Sequence, residues 1–196
     1  MSFTLINPCS ITEEIKKSRF VAHALPINTI EQASAIIEEV SDPSATHNCW
    51  AWKLGAQYRF NDDGEPTSTA GRPILAAIEG QNCDQVLIVV TRYFGGIKLG
   101  TGGLMRAYGG SASHCLQQAE LTPIILRINC HVTCLYSEWP ILENRLKEAG
   151  AIIEQQSFEA LGTKLQFAIT EDKLADLELF IGNITRGREQ LVIDPH

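Results

Sequence analysis

Seven of the 15 glycines fall between Gly95 and Gly110, directly behind the aliphatic run Val86–Val90. The run reads as a buried strand over 86–91. After the glycines, Leu104, Tyr108, Ser111, Cys115 and Ala119 keep the spacing of a helix that ends near Leu121. A strand that runs through a glycine loop into a helix restricts the chain to folds that pack a helix on a sheet. Glycines in such a loop let the backbone take positive φ and let another group approach the main chain closely. The same stretch holds no acidic residue from 85 to 119, while Arg92, Lys98 and Arg106 lie inside it. In a chain of 196 residues with 16 basic and 23 acidic side chains, net −7, this is the strongest local charge asymmetry. The negative total argues against a general polyanion binder, because its long-range field repels nucleic acid and anionic membrane. It leaves room for one local basic site.

A helix N-terminus behind a glycine loop offers unpaired N–H donors and the positive end of its dipole, which favours an anion. The candidate binding residues are therefore Arg92, Gly95, Gly96, Lys98, Gly100, Gly102, Gly103 and Arg106. Lys17 and Arg19 would extend the patch. The named phosphate loops fail: Gly100 is followed by Thr101 and Gly102 where a P-loop needs lysine and then serine or threonine. A dinucleotide fingerprint starting at Gly100 would need glycine where Met105 stands. The plain alternative is a tight strand-to-helix connection. Gly109 and Gly110 are expected to serve close helix–sheet packing.

A second cluster is Asn61-Asp62-Asp63-Gly64-Glu65-Pro66, followed by Thr67-Ser68-Thr69-Ala70-Gly71-Arg72-Pro73. Asp62, Asp63 and Glu65 are candidates for holding Mg²⁺ or for acid and base work. An EF-hand loop is excluded, since its first ligand position would be Arg59. Asp63-Gly64 is also a strong turn dipeptide, in which carboxylates are simply solvated. Thr67, Ser68 and Thr69 can cap the following helix, and with Gly71 and Arg72 they can form a second anion-binding helix end. Cys130 and Cys134, four apart on one strand, stand about 13 Å apart and cannot share a zinc ion. His47 and Cys49 share a strand face but lack further ligands. Gly109-Gly110-Ser111-Ala112-Ser113 is not a nucleophile elbow, because Ser113 replaces the last glycine and Ser111 falls inside a helix. Trp50 and Trp52, alternating on a strand, read as core rather than as a stacking platform.

Thr29 with Gln32 caps a helix whose apolar face is Ile30, Ala33, Ile36, Ile37 and Val40. Residues 11–28 read as one extended stretch, 47–54 as an alternating strand, 59–71 as turn-rich, and 73–79 as a short helix. Pro123 marks a boundary. Beyond it the pattern is strand 125–135, helix 139–149, strand 151–158, strand 163–169, helix 172–183 and strand 190–194. This β-α-β-β-α-β order is the ferredoxin-like plan. The expected domains are 1–122 and 123–196. No signal-peptide pattern opens the chain, and the longest aliphatic run is five residues against the roughly 20 that cross a bilayer. Six cysteines without an export signal read as reduced thiols, so a cytoplasmic location and no membrane partner are expected.

The four ordered motifs that stand out are Glu14-Ile15-Lys16-Lys17-Ser18-Arg19-Phe20, His47-Asn48-Cys49-Trp50-Ala51-Trp52, Asp62-Asp63-Gly64-Glu65-Pro66 with Thr69-Ala70-Gly71-Arg72-Pro73, and Arg92-Tyr93-Phe94-Gly95-Gly96 through Gly100-Thr101-Gly102-Gly103-Leu104. In these the chain resembles the IMPACT family, and within it the bacterial YigZ-type members. The resemblance spans nearly the whole chain. Asn61 stands where the family has serine, and Ser68 where it has glycine. The likeness implies an α+β protein with two domains. The first is a two-layer α/β domain resembling domain 2 of a small-subunit ribosomal protein and domain IV of elongation factor G. The second is a ferredoxin-like domain similar to domain V of that factor. Eukaryotic relatives regulate translation by binding the activator of a starvation-responsive initiation-factor kinase. The resemblance brings no catalytic mechanism and no cofactor.

The leading expectation is a non-enzymatic, translation-linked binding protein whose partner is RNA, the ribosome or a translation factor. Arg92, Lys98 and Arg106 would contact phosphate in it. Two rivals remain at this point. One is an enzyme acting on a phosphate ester, with Asp62, Asp63 and Glu65 holding Mg²⁺ in the cleft that also contains the glycine loop. The other is a protein–protein adaptor using the same surface. The sequence does not fix the oligomeric state.

Overall fold

The computed structural model describes residues 1–194; Pro195 and His196, the end of the second expected domain, lie outside the described residues. The chain divides into two compact units, Met1–Ile124 and the remainder from Ile125.

The first unit is built on a five-stranded antiparallel sheet in the order β2 (Cys9–Ile15), β3 (Ser18–Pro26), β6 (Val86–Tyr93), β4 (His47–Leu54), β5 (Gln57–Asn61). A short ribbon pairs β1 (Phe3–Leu5) with β7 (Leu121–Pro123). The central strand β6 is buried along nearly its whole length, which its aliphatic run allows because both its faces are covered. On one face Val86, Ile88 and Val90 join Phe20, Cys49 and Ala51 beneath the helices α2 (Gly71–Gly80) and α3 (Thr101–Gln118). On the other, Leu87 and Val89 join Trp52 under α1 (Ile30–Val40), with Trp50 packed partly against them. Trp52 is thus a core residue, and Trp50 is partly buried against the same cluster. The two layers expected from the resemblance are the sheet with α2 and α3, and α1 adds a partial third layer. Thr29 caps α1 as its sequence predicts, its hydroxyl accepting from the Gln32 amide at 3.1 Å.

Residues 11–28, expected as one extended stretch, are two strands joined at Lys16 and Lys17. Both lysines have positive φ, 47° and 65°. That pair of left-handed residues makes a two-residue hairpin of the type that matches strand twist, normally built from asparagine and glycine. Residues 59–61, expected as the start of a turn-rich stretch, instead belong to an edge strand, Gln57–Asn61, whose residues are mostly exposed. α3 is tied to β2 by Glu13, which accepts from the Ser111 hydroxyl at 2.6 Å and faces His114 Nδ1 at 2.7 Å. Burial acts to raise the Glu13 carboxyl, and these hydrogen bonds bring it below its ordinary value. Gly109, expected to pack on the sheet, instead meets α2, where an added Cβ would stand 3.4 Å from Pro73 Cβ; a Cβ at Gly110 would meet nothing.

The second unit has strands β8 (Ile128–Leu135), β9 (Ile152–Phe158), β10 (Gly162–Ile169) and β11 (Val192–Ile193), ordered β11-β8-β10-β9 and all antiparallel. Helices α4 (Trp139–Glu148) and α5 (Leu174–Ile184) lie against one face, over Cys130, Val132, Leu165 and Phe167. This is the ferredoxin-like arrangement that the order of elements predicts. No helix among the described residues is long and apolar enough to cross a membrane.

Candidate anion-binding cleft at the start of α3

α3 begins without help from any side chain. Its cap residue is Gly100, with φ 71°, and its first turn holds no acidic residue. The first amide to bond back along the helix is that of Leu104, to Gly100 O at 2.9 Å. The amides of Thr101, Gly102 and Gly103 have no acceptor among the described residues, as the geometry of a helix start requires unless something outside it supplies one. Lys98 and Arg92 line the cleft in front of this end. Arg106 stands one turn on, its Nη1 3.7 Å from where a Cβ on Gly102 would be. Cations near a helix N-terminus oppose its dipole by about 0.3–1 kcal/mol each. The fold therefore concentrates positive charge where it is unfavourable for the helix alone.

The cleft has a volume of about 380 Å³ and is walled by Thr46, His47, Glu65, Pro66, Arg92 and Phe94 on one side and by residues 98–101 and Leu104 on the other. At its base Arg92 Nη1 donates to Glu65 Oε1 at 2.5 Å, with side chains 6% and 4% exposed. Tyr108 Oη donates to the same oxygen at 2.8 Å. His47 Nδ1 lies 2.6 Å from the Asp63 carbonyl, which makes it the protonated nitrogen, and Nε2 lies 3.8 Å from Glu65 Oε1. The guanidinium sits between the rings of Phe20 and Phe94, 5.6 and 5.5 Å from their centroids. Its Nε is buried with no hydrogen-bond partner among the described residues. Burial pushes the Cys49 thiol up to about 12, helped by Glu65, Asp63 and Asp62, so it is no thiolate nucleophile at neutral pH. Burial beside Cys49 and Glu65 likewise pushes the Tyr108 phenol well up, which keeps it a donor.

The glycines of the loop have separate tasks. At Gly95 a Cβ would overlap the carbonyl of Lys17, so this glycine seats the loop on the β2–β3 hairpin and brings Lys17 beside it. Gly96 and Gly100 take φ of 87° and 71°. At Gly103 a Cβ would press on Leu99 at 3.0 Å.

Several candidate residues have structural tasks instead. Asp62 caps α2: Oδ1 accepts from the amides of Ala70 and Gly71 at 3.0 and 2.8 Å, and Oδ2 from Ser68 at 2.8 Å. The α2 end, considered as a second anion site, is thus filled by the chain's own carboxylate. Thr69 Oγ1 donates to Pro66 O at 2.6 Å, and Gly71 lies so close to β5 that a Cβ would stand 2.7 Å from Asn61 O. Asp63 Oδ2 accepts from the Asn48 amide at 2.6 Å. Of the three carboxylates only Glu65 reaches the cleft, and no cluster of three or more metal-ligating side chains occurs among the described residues. The Mg²⁺ trio therefore does not form. Arg19 is turned to the other face of the sheet, 4.0 Å over the Tyr93 ring, and does not extend the patch. Arg92 is buried rather than a surface cation. Arg106 also lines a separate groove of about 520 Å³ between α2 and α3, together with Arg72. His47, Thr101 and Tyr108 were not singled out from sequence as parts of the site. The register that pairs His47 with Arg92 across β4 and β6 is what places the histidine there.

Ser68 has φ 60° and is exposed. The glycine that the resemblance implies at this position answers a left-handed backbone, not a close approach. Ser68→Gly should therefore raise stability by about 0.5–1 kcal/mol, read as a shift of the urea midpoint at unchanged slope.

The Impact N-terminal domain family matches residues 16–116, and a domain of unknown function (DUF1949) matches residues 132–188. IMPACT family member YigZ of Escherichia coli (strain K12) is 36% identical over 192 residues, covering 94% of both chains. The crystal structure of a hypothetical protein, 34% identical, superposes over 100% of this chain and 98% of its own with a TM-score of 0.71. Protein IMPACT of Rattus norvegicus is 33% identical over 95 residues, 43% of this chain and 29% of its own length. The hairpin lysines, the capping Asp62, the Glu65–Arg92 pair and the loop before α3 all fall inside the first matched segment. With one unit matched over most of its length and a bacterial relative matched nearly end to end, the chain belongs to the IMPACT family.

Proposed function

We propose that this chain is a non-enzymatic, translation-linked binding protein of the cytoplasm that contacts RNA of the translation apparatus through the start of α3. The observation that carries the reading is the contrast between two helix ends in one domain. α2 has its end filled by Asp62, whereas α3 has three amides unclaimed among the described residues, no acid in its first turn, and Lys98 and Arg106 around it, with Arg92 paired to Glu65 in the same cleft. Such an end binds an anion, and the most abundant anion that translation proteins meet is the phosphate of RNA. The net charge of −7 confines the contact to this patch. Lys17, held beside Gly95, is the natural extension of it. Family membership links the reading to translation, since the eukaryotic members act there. Ribosome co-sedimentation across a salt series tests it.

A second reading has one observation in its favour: Glu65 and the glycine loop do share one cleft. An enzyme acting on a phosphate ester would use that carboxylate without the metal trio. Glu65 is held by Arg92 and Tyr108, which suits it to a structural task more than to proton transfer.

A further inference from the structure

Resting on the reading that the start of α3 meets RNA, we infer that the cleft takes a terminal phosphate, a phosphomonoester dianion, rather than a phosphodiester within a strand. The first observation is the number and placement of unclaimed donors. The amides of Thr101, Gly102 and Gly103 open at one end, and Lys98 lines the wall. The second is independent of the helix. Arg92 lines the same cleft with a side chain 6% exposed, its Nη1 is taken by Glu65, and its Nε is buried without a partner among the described residues. Leaving a buried guanidinium N–H unpaired is costly, and an oxyanion against that edge would pair it. A phosphodiester has two non-bridging oxygens and one charge. A phosphomonoester has three terminal oxygens and close to two charges at neutral pH, and so matches five donors better.

The cleft has a volume of about 380 Å³, with Pro66, Phe94, Leu99 and Leu104 among its walls. Phe94, 47% exposed, offers a ring face on which the terminal base can stack. Glu65 is the carboxylate of the cleft, and Arg92 meets its charge directly. Two sources supply this chemistry, the phosphorylated end of an RNA and a free nucleoside monophosphate.

The test uses the full chain and three probes: a 3′-fluorescein-labelled RNA hexamer with a 5′-phosphate, the same hexamer with a 5′-hydroxyl, and AMP. Fluorescence anisotropy should show the phosphorylated hexamer binding about tenfold tighter or more, with AMP competing. The deciding variant is Thr101→Asp, which puts a carboxylate on the first turn of α3. An acid there favours the helix, so the variant should melt no lower than the parent. It should bring the two hexamers to equal affinity. If the hexamers bind the parent equally and AMP does not compete, the terminal-phosphate assignment is wrong while the RNA reading stands. If neither hexamer binds, the RNA reading fails and AMP decides the cleft. AMP raising the melting temperature of the parent but not of Thr101→Asp supports it with a small-molecule source, and no shift in either overturns it.

Discussion

Glu65→Ala should lower the stability of the first unit by about 3–5 kcal/mol, because it leaves an uncompensated buried charge. In the native protein Glu65 Oε1 accepts from both Arg92 Nη1 and Tyr108 Oη, and the three side chains are almost fully buried. Removing the carboxylate leaves a guanidinium held between Phe20 and Phe94 with no counter-charge in contact, and a phenol with no acceptor from Glu65. The large loss belongs to breaking the pair and not to the pair's net worth. Burying two charges costs nearly what their attraction returns. The double variant Glu65→Met with Arg92→Met should therefore recover most of the stability lost by Glu65→Ala. Urea unfolding followed by far-UV circular dichroism checks both. A loss below about 1 kcal/mol for Glu65→Ala would mean that water or another group already shares the charge.

Gly95→Ala should cost about 3 kcal/mol and also displace Lys17, for a reason of space rather than charge. The Cβ would overlap the Lys17 carbonyl and stand 2.7 Å from Ser18 N. Both are backbone atoms in a hairpin turn whose two residues already have positive φ. A backbone clash has no rotamer to relieve it, so either the loop lifts from the hairpin or the hairpin opens. Gly102→Ala is the control. Its Cβ would meet only the end of Arg106 at 3.7 Å, an ordinary contact, and alanine suits a helix better than glycine by about 1 kcal/mol. The pair of substitutions should thus move the urea midpoint in opposite directions. Equal effects would mean that the loop is not seated on the hairpin.

These two sites also show what a sequence reveals and what it hides. The acid-free run and the glycines pointed to the start of α3, because charge and backbone freedom are local properties that can be read directly. The alternation of His47–Leu54, the Thr29 cap and the order of elements after Pro123 were legible for the same reason. Lys16-Lys17 gave no sign of a turn, since its left-handed geometry is imposed by the strands that pair on either side. Gln57–Asn61 lacks apolar alternation because it is an exposed edge strand. The burial of Arg92 depends on which residues lie opposite it across β3, β4 and α3, a long-range property. So does the capture of Asp62 by the end of α2, which turned a candidate metal ligand into a cap.

The proposed contact with the translation apparatus runs through one patch at the start of α3. It is tested most directly by sedimenting the protein with ribosomes in 50 to 300 mM salt, for the parent and for Lys98→Glu. Lys98 is exposed and lines the cleft without a salt bridge among the described residues, so the reversal should not disturb folding. Binding of the parent should fall steeply with salt, as the release of counterions from phosphate requires. The variant should bind about tenfold or more weakly at the lowest salt, with a shallower dependence. Binding that is insensitive to salt and unchanged by Lys98→Glu would rule out this patch as the contact.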